Sequence, residues 1–137
     1  MRIYIEYRLY TSYKVIKYTY YLSLIVLLIL YLFPGSLIGF LLYSDLGKQP
    51  YLISNPIGTS INHLIFFYYL GVLSFIIHAK HKKMIYSFPF LICISALFEL
   101  LHLIIPNRAF ELNDLFANCA GVLSAFFTLI FIKKLKN

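Results

Sequence analysis

Two ionisable side chains inside an apolar run are the residues of this sequence best suited to chemistry. Glu99 lies in LICISALFELLHLII and His102 follows three residues later, so both fall on one face of a helix. A charged group within a membrane segment costs about 2.5–3.5 kcal/mol on insertion scales, and such groups generally face protein and have a role. A carboxylate can orient and activate an imidazole for general acid–base work. Glu99 and His102 are therefore the candidate catalytic residues, with a purely structural Glu99 as the alternative.

Four more polar side chains lie near predicted helix ends and are the predicted binding residues: His63, Arg108, Asp114 and Asn118. Arginine can hold a phosphate or a carboxylate through charge-assisted hydrogen bonds. Simpler roles stay open for all four. His63 would be an interfacial histidine, and Arg108 would pair with Glu111 at the surface. Asp114 would cap a helix, and Asn118 would hydrogen-bond a neighbouring helix.

The sequence predicts neither a metal nor another cofactor. Glu99 and His102 supply only two zinc ligands, and a third would have to come from His63 across the bundle. Cys119, beside Asn118, lies in apolar surroundings that keep a thiol protonated and poorly nucleophilic.

The composition places these residues in a membrane protein. Of 137 residues, 61% are hydrophobic and 12% are charged, and the mean hydropathy is +0.82. Soluble domains carry about 25% charged residues. An ordinary cytosolic domain and a disordered chain are both excluded.

Four apolar segments approach the length of about 20 residues that a membrane span requires. They run from Tyr18 to Phe33, from Ser60 to His78, from Tyr86 to Ile105 and from Asp114 to Ile132. Residues 36–43 are too short to span and are predicted to be interfacial or re-entrant, with a prolonged first helix as the alternative. The predicted fold class is an all-α, polytopic integral membrane bundle of four transmembrane helices with a short interfacial N-terminal helix.

The net charge of +7 is an orientation signal, because ten of the twelve Lys and Arg residues fall on one side of this four-helix arrangement. The positive-inside rule then puts both termini in the cytoplasm and the polar candidates at the outer leaflet. Residues 1–17 form a basic, aromatic interfacial segment, 18–132 the membrane domain and 133–137 a basic tail. The predicted partners are membrane lipids, and no nucleic acid is expected.

The run FELLHLIIPNRAFELNDLFANCAGVLSAF resembles the signature of the VanZ-like family, and the resemblance extends over residues 20–132. The matching positions are Glu99, His102, Pro106, Arg108, Asp114, Asn118 and Gly121. The upstream NHLIFFYYLGVLSF is similar to the family's preceding helix and adds His63 and Gly71. Family members often carry an Asp-Lys pair shortly before that histidine, where this chain has Thr59-Ser60. Gly71, Pro106 and Gly121 are predicted to be structural.

The family is named for a protein associated with low-level resistance to the glycopeptide teicoplanin. The resemblance therefore implies a protein of the cell envelope, located in the plasma or inner membrane. We expect its polar outer-leaflet site to bind a lipid-linked or anionic envelope component, such as a lipid-linked cell-wall precursor or a glycopeptide. The alternative is an intramembrane hydrolase or transferase acting on a lipid headgroup. Glu99 and His102 would then be its acid–base pair and Arg108 its anion stabiliser.

Overall fold

A computed structural model describes residues 2–50, 60–78 and 83–135 of the chain. Within these ranges it contains five helices and no strand: α1 (Arg2–Leu32), α2 (Leu37–Tyr43), α3 (Ser60–Ile77), α4 (Lys83–Leu101) and α5 (Leu112–Leu135). The predicted all-α membrane bundle is confirmed. Thr59, most of the predicted basic loop at residues 80–83 and the last two residues of the predicted tail lie outside the described residues.

Three helical stretches are long and apolar enough to cross a membrane: Tyr10–Leu32, Ser60–Ile77 and Leu112–Leu135. The remaining predicted span corresponds to the shorter apolar helix Tyr86–Leu101. Large apolar side chains such as Leu41, Ile104 and Phe116 are exposed. The buried set, in contrast, includes serines, two acids, an asparagine and a histidine. Apolar groups outside and polar groups inside is the distribution expected of a bundle surrounded by lipid.

Helix α1 is continuous through the boundary predicted at Tyr18. We expected residues 1–17 to form a helix of their own at the membrane surface. Because neither glycine nor proline occurs between Arg2 and Phe33, nothing interrupts the hydrogen-bond ladder. The basic N-terminal arm is thus the first part of the same helix whose other end reaches the polar residues.

Helix α1 ends before Pro34, and the short helix α2 follows after a break of four residues. Gly35 has a φ of +85°, which favours glycine, and a Cβ on it would approach the Leu46 carbonyl oxygen to 2.8 Å. Ser36 caps α2 by accepting a hydrogen bond from the Gly39 N–H at 2.9 Å. Residues 36–43 therefore do not prolong α1, and the alternative of a longer first helix is wrong.

Helix α4 is displaced toward the N-terminus relative to its predicted bounds. It begins at Lys83 and ends at Leu101, four residues before the predicted end at Ile105. Its last turn tightens ahead of Pro106, because the His102 N–H bonds the carbonyl three residues back, that of Glu99, at 3.1 Å. Glu99 is consequently two residues from the helix end, where about six had been expected. Pro89 lies in the second turn of this helix.

Helices α3 and α5 approach each other more closely than the other pairs, and two glycines permit it. A Cβ on Gly121 would overlap the backbone carbonyl oxygen of Leu64. A Cβ on Gly71 would lie 2.7 Å from the Cβ of Ala125. Small residues allow helix backbones to come together in this way. The close approach sets the start of α5 beside the start of α3.

Candidate functional site

The polar side chains collect at one end of the bundle, where α1 and α4 end and α3 and α5 begin. We call the following residues the polar cluster: Tyr31, Ser60, His63, Glu99, His102, Arg108, Asp114 and Asn118. Glu99 and Asn118 are fully buried, and His102 and Asp114 are nearly so. The structure thus brings together all six residues that were predicted to be catalytic or binding, and it adds Tyr31 and Ser60.

Glu99 connects the end of α4 to the beginning of α5. Its Oε1 lies 3.3 Å from Nδ1 of His102 and accepts a hydrogen bond from the Glu111 N–H at 3.0 Å. Glu111 directly precedes α5, so the carboxylate sits at the positive end of that helix dipole. The predicted pairing of Glu99 with His102 is present, and the Glu99 carboxylate is fully buried.

Asp114 is turned toward α3. Its Oδ1 accepts a hydrogen bond from the Ser60 hydroxyl at 2.5 Å, and its Oδ2 lies 3.3 Å from Nε2 of His63. Helix α5 begins at Leu112, two residues earlier than predicted, so Asp114 lies within the first turn. The helix-cap interpretation of Asp114 is therefore wrong, because its carboxylate bonds a neighbouring helix.

Tyr31 is one of the two residues of this site that sequence reasoning missed. Its Oη lies 2.6 Å from Nδ1 of His63 and donates a hydrogen bond to Oδ1 of Asn118 at 3.3 Å. Its ring stacks on His102 with a centroid separation of 5.1 Å and an interplanar angle of 17°. Tyr31 is one of 13 tyrosines, and no spacing distinguishes it from those expected at the membrane interface.

Ser60, the other missed residue, was noted in the sequence as the start of a span and as a departure from the family pattern, without a role in the site. The available signal was its spacing, since it precedes His63 by three residues at the start of a helix and so shares a face with it. In the structure both side chains contact Asp114.

Arg108 binds the end of α1. Its Nη2 donates to the Leu30 carbonyl at 2.7 Å and its Nε donates to the Phe33 carbonyl at 3.4 Å. Among the described residues no carboxylate lies within 4.0 Å of the guanidinium, so the predicted surface pair with Glu111 is wrong. Burial lowers the pKa of Arg108 from its usual value, while nearby Tyr31 and the two carboxylates of the cluster raise it. Arginine nevertheless stays charged in proteins.

A cavity of about 150 Å³ opens beside this end of α1. Its polar lining comprises Tyr31, Ser36, Gln49, Asn62, His63, His102 and Arg108. Leucines of α1 and α2, with Phe66 of α3, supply most of its apolar wall. Glu99, Asp114 and Asn118 lie behind this lining. The cavity therefore presents a guanidinium and two imidazoles, with the carboxylates set back from it.

Several buried polar atoms of the cluster have no hydrogen-bond partner in the part of the chain that the structure describes. They are Oε2 of Glu99, Nε2 of His102 and Nδ2 of Asn118. Buried polar groups are paired in the great majority of cases, so each exception calls for an explanation such as a bound water or ion. Three such atoms of the described residues lie in this one cluster.

The cluster also contains a group with the donor atoms of a metal site. One ligand atom each from His63, Glu99 and Asp114 lies within 4.8 Å of the other two. The sequence analysis predicted no metal, and the trio that it considered contained His102 in the place of Asp114. His102 is instead the hydrogen-bond partner of Glu99.

Comparison with known proteins gives one match. The family model described as VanZ/LLP1 matches residues 17–133. No curated protein and no solved structure matches the chain.

Proposed function

Because the chain belongs to the VanZ/LLP1 family of membrane proteins, we propose that it binds an anionic component of the cell envelope in the cavity beside Arg108. The observation that carries the proposal is a charged, half-buried arginine that lines a cavity and has no carboxylate within 4.0 Å among the described residues. A guanidinium has five N–H donors. Two of them bond the Leu30 and Phe33 carbonyls, which leaves three to hold an anion.

The cavity's neighbours add to its affinity for a negative group. His102 lines it, and Nε2 of this ring, which has no hydrogen-bond partner among the described residues, can donate to an anion. Asn62 is held in place by donating a hydrogen bond to the Pro50 carbonyl at 2.7 Å. Arginine in such a setting recognises the planar or branched oxygens of a carboxylate or a phosphate.

The size of the cavity limits what enters it. Pockets for drug-sized ligands measure about 300–1,000 Å³, whereas this cavity has about 150 Å³. It has room for an anionic head but not for a whole glycopeptide or disaccharide. The rest of such a ligand lies outside, where Phe40, Leu41 and Leu42 of α2 present exposed apolar surface to an acyl or prenyl chain.

A lipid-linked cell-wall precursor fits a small polar cavity with an apolar surface outside it, because its phosphate lies at the membrane surface and its prenyl chain lies in the hydrocarbon. The proposal includes the orientation inferred from the basic residues, with both termini in the cytoplasm and the cavity at the outer leaflet. It gives Glu99 a positioning role, because that carboxylate is enclosed and does not line the cavity. No observation favours the hydrolase or transferase alternative.

The direct test measures binding of a polyprenyl phosphate to the full chain in nanodiscs of neutral lipid. Arg108→Gln should weaken binding about 10- to 100-fold, since a hydrogen bond to a charged group contributes about 1.5–3 kcal/mol. Lys48→Gln is the matched control, because Lys48 is exposed, lies over the Tyr43 ring at 4.2 Å and is not among the residues that line the cavity. Unchanged binding by Arg108→Gln, or an equal loss in Lys48→Gln, would overturn the proposal.

Two experiments in cells test the proposed orientation of the chain and the proposed link to teicoplanin. A Lys48→Cys variant should react with a membrane-impermeant maleimide added outside intact cells, and labelling only after lysis would reverse the orientation. Expression of the chain should raise the teicoplanin concentration that inhibits growth, and Arg108→Gln should remove the increase. An unchanged inhibitory concentration would remove the glycopeptide link and leave the lipid measurement as the test of anion binding.

A further inference from the structure

We propose that His63, Glu99 and Asp114 form a site for a divalent transition-metal cation of the Zn²⁺ class. The three residues come from α3, α4 and α5, and one ligand atom of each lies within 4.8 Å of the other two. The site depends on the packing of three helices, and it does not require the anion-binding function proposed above.

In each of the three side chains, one potential ligand atom contacts a neighbour outside the group, and the other is available to a metal ion. Tyr31 contacts Nδ1 of His63 at 2.6 Å, and Ser60 donates to Oδ1 of Asp114. Oε1 of Glu99 accepts the Glu111 N–H and contacts His102. The atoms that remain are Nε2 of His63, Oδ2 of Asp114 and Oε2 of Glu99. Neighbours that fix one side of a ligand and leave the other side free are the usual outer shell of a metal site.

The two ring nitrogens of His63 face different groups. Nδ1 lies 2.6 Å from the Tyr31 hydroxyl oxygen, and Nε2 lies 3.3 Å from Oδ2 of Asp114. Either a proton on Nε2 or a metal ion can lie between Nε2 and this carboxylate oxygen.

Glu99 is the observation that favours the metal over the proton. Its side chain is fully buried, and its Oε2 has no hydrogen-bond partner among the described residues. A proton on His63 would leave that oxygen unpaired. Two carboxylates enclosed together are expensive unless a cation neutralises them, and a divalent ion next to a neutral imidazole balances their charge.

The donor set and the spacing fit a transition metal. One imidazole with two carboxylates suits Zn²⁺, Fe²⁺ or Mn²⁺ better than Ca²⁺ or Mg²⁺, which prefer oxygen alone. Bonds of about 2.0–2.2 Å separate tetrahedral ligands by about 3.3–3.6 Å. The separation between His63 and Asp114 is already 3.3 Å, and the widest separation in the group is at most 4.8 Å, which a bound ion would have to shorten. Three protein ligands leave a coordination position free for water or another oxygen ligand.

The experiment uses the full chain in detergent, stripped with EDTA, dialysed and then given two equivalents of Zn²⁺. After desalting, metal analysis should find about one Zn²⁺ per chain. His63→Gln, Glu99→Gln and Asp114→Asn should each reduce the affinity for Zn²⁺ at least ten-fold. His78→Gln is the control, because His78 contacts the Ser74 carbonyl of its own helix and lies outside the group. It should retain the wild-type stoichiometry.

A second readout protects the test from variants that fail to fold. Co²⁺ added to stripped wild-type protein should give intense visible absorption of a four- or five-coordinate ion with nitrogen ligation, and Zn²⁺ should displace it. Zinc uptake by wild type no greater than by Asp114→Asn would overturn the proposal and leave the proton as occupant. A weak six-coordinate Co²⁺ spectrum, or equal preference for Mg²⁺, would do the same.

Discussion

The two ends of the bundle differ in what their cavities contain. The opposite end, around Tyr20 and His78, has the larger cavity, with about 460 Å³ against about 150 Å³ at the polar cluster. The described lining of the larger cavity consists of tyrosines, Phe90, Leu24, two serines and His78, with no carboxylate and no guanidinium. The larger of these two cavities is therefore the one whose described lining carries no carboxylate and no guanidinium.

Helix polarity explains part of the difference. At the polar cluster, the Glu99 carboxylate accepts an N–H at the start of α5, and the Arg108 guanidinium binds carbonyls at the end of α1. Each charge thus meets the helix end of opposite sign. At the opposite end the described basic residues, such as Lys134, are exposed. The same kind of helix ends therefore supports a buried network in one place and a solvated surface in the other.

The largest difference in unfolding free energy between variants at the two ends should come from replacing a buried carboxylate. Glu99→Leu leaves the Glu111 N–H and His102 without their acceptor, and it should lower the free energy of unfolding by about 3–5 kcal/mol. His78→Leu at the opposite end should cost less than about 1 kcal/mol, because it loses one half-buried contact within its own helix. Denaturant titration in detergent measures both, and similar losses would contradict the contrast.

Forcing α3 and α5 apart should cause the next largest loss of unfolding free energy. Gly121→Ala pushes a methyl group into the Leu64 backbone and should cost about 1–3 kcal/mol. Gly47→Ala meets only an ordinary contact, with Oδ1 of Asp45 at 3.4 Å, and should stay within about 0.5 kcal/mol. The same titration compares them. An unchanged unfolding free energy in Gly121→Ala would mean that α5 can move without disturbing the polar cluster.

Two buried tyrosines of α1 provide a closer comparison. Tyr31→Phe removes a hydroxyl bonded to His63 and Asn118, and it should cost about 1–2 kcal/mol. Tyr20 is buried to a similar degree, at 4% exposure against 7% for Tyr31, but lies at the opposite cavity. Tyr20→Phe should cost less than half as much. Equal losses of unfolding free energy would show that the hydroxyl of Tyr31 has no special position.

The smallest loss of unfolding free energy is expected when the Arg108 guanidinium is replaced by an ammonium group. Arg108→Lys keeps the charge, but one ammonium cannot reach the Leu30 and Phe33 carbonyls as the guanidinium does. We expect a loss of about 0.5–1 kcal/mol. Lys134→Gln on the exposed opposite end should change the unfolding free energy by less than about 0.5 kcal/mol. A larger loss in the lysine control would reverse the comparison.

Local patterns of the sequence translated well into structure where only neighbours along the chain were involved. Helix α3 begins at Ser60 as predicted, and the spacing of Glu99 and His102 correctly placed them in contact. The early end of α4 was missed, because apolar residues continue to Ile105 while the backbone tightens before Pro106. Tyr31 was missed because a tyrosine in an apolar helix carries no sign of whether it faces lipid or a partner.

By itself the sequence determined the membrane class, the helices, the family and the set of polar residues at one end, since these follow from hydropathy, short-range spacing and a motif. Only the tertiary structure decided which atoms meet. That Nε2 of His63 faces Asp114, and that Arg108 binds the end of α1 in place of Glu111, depends on how closely the helices pack. The physical reason is that contacts between helices distant in sequence have no periodicity along the chain.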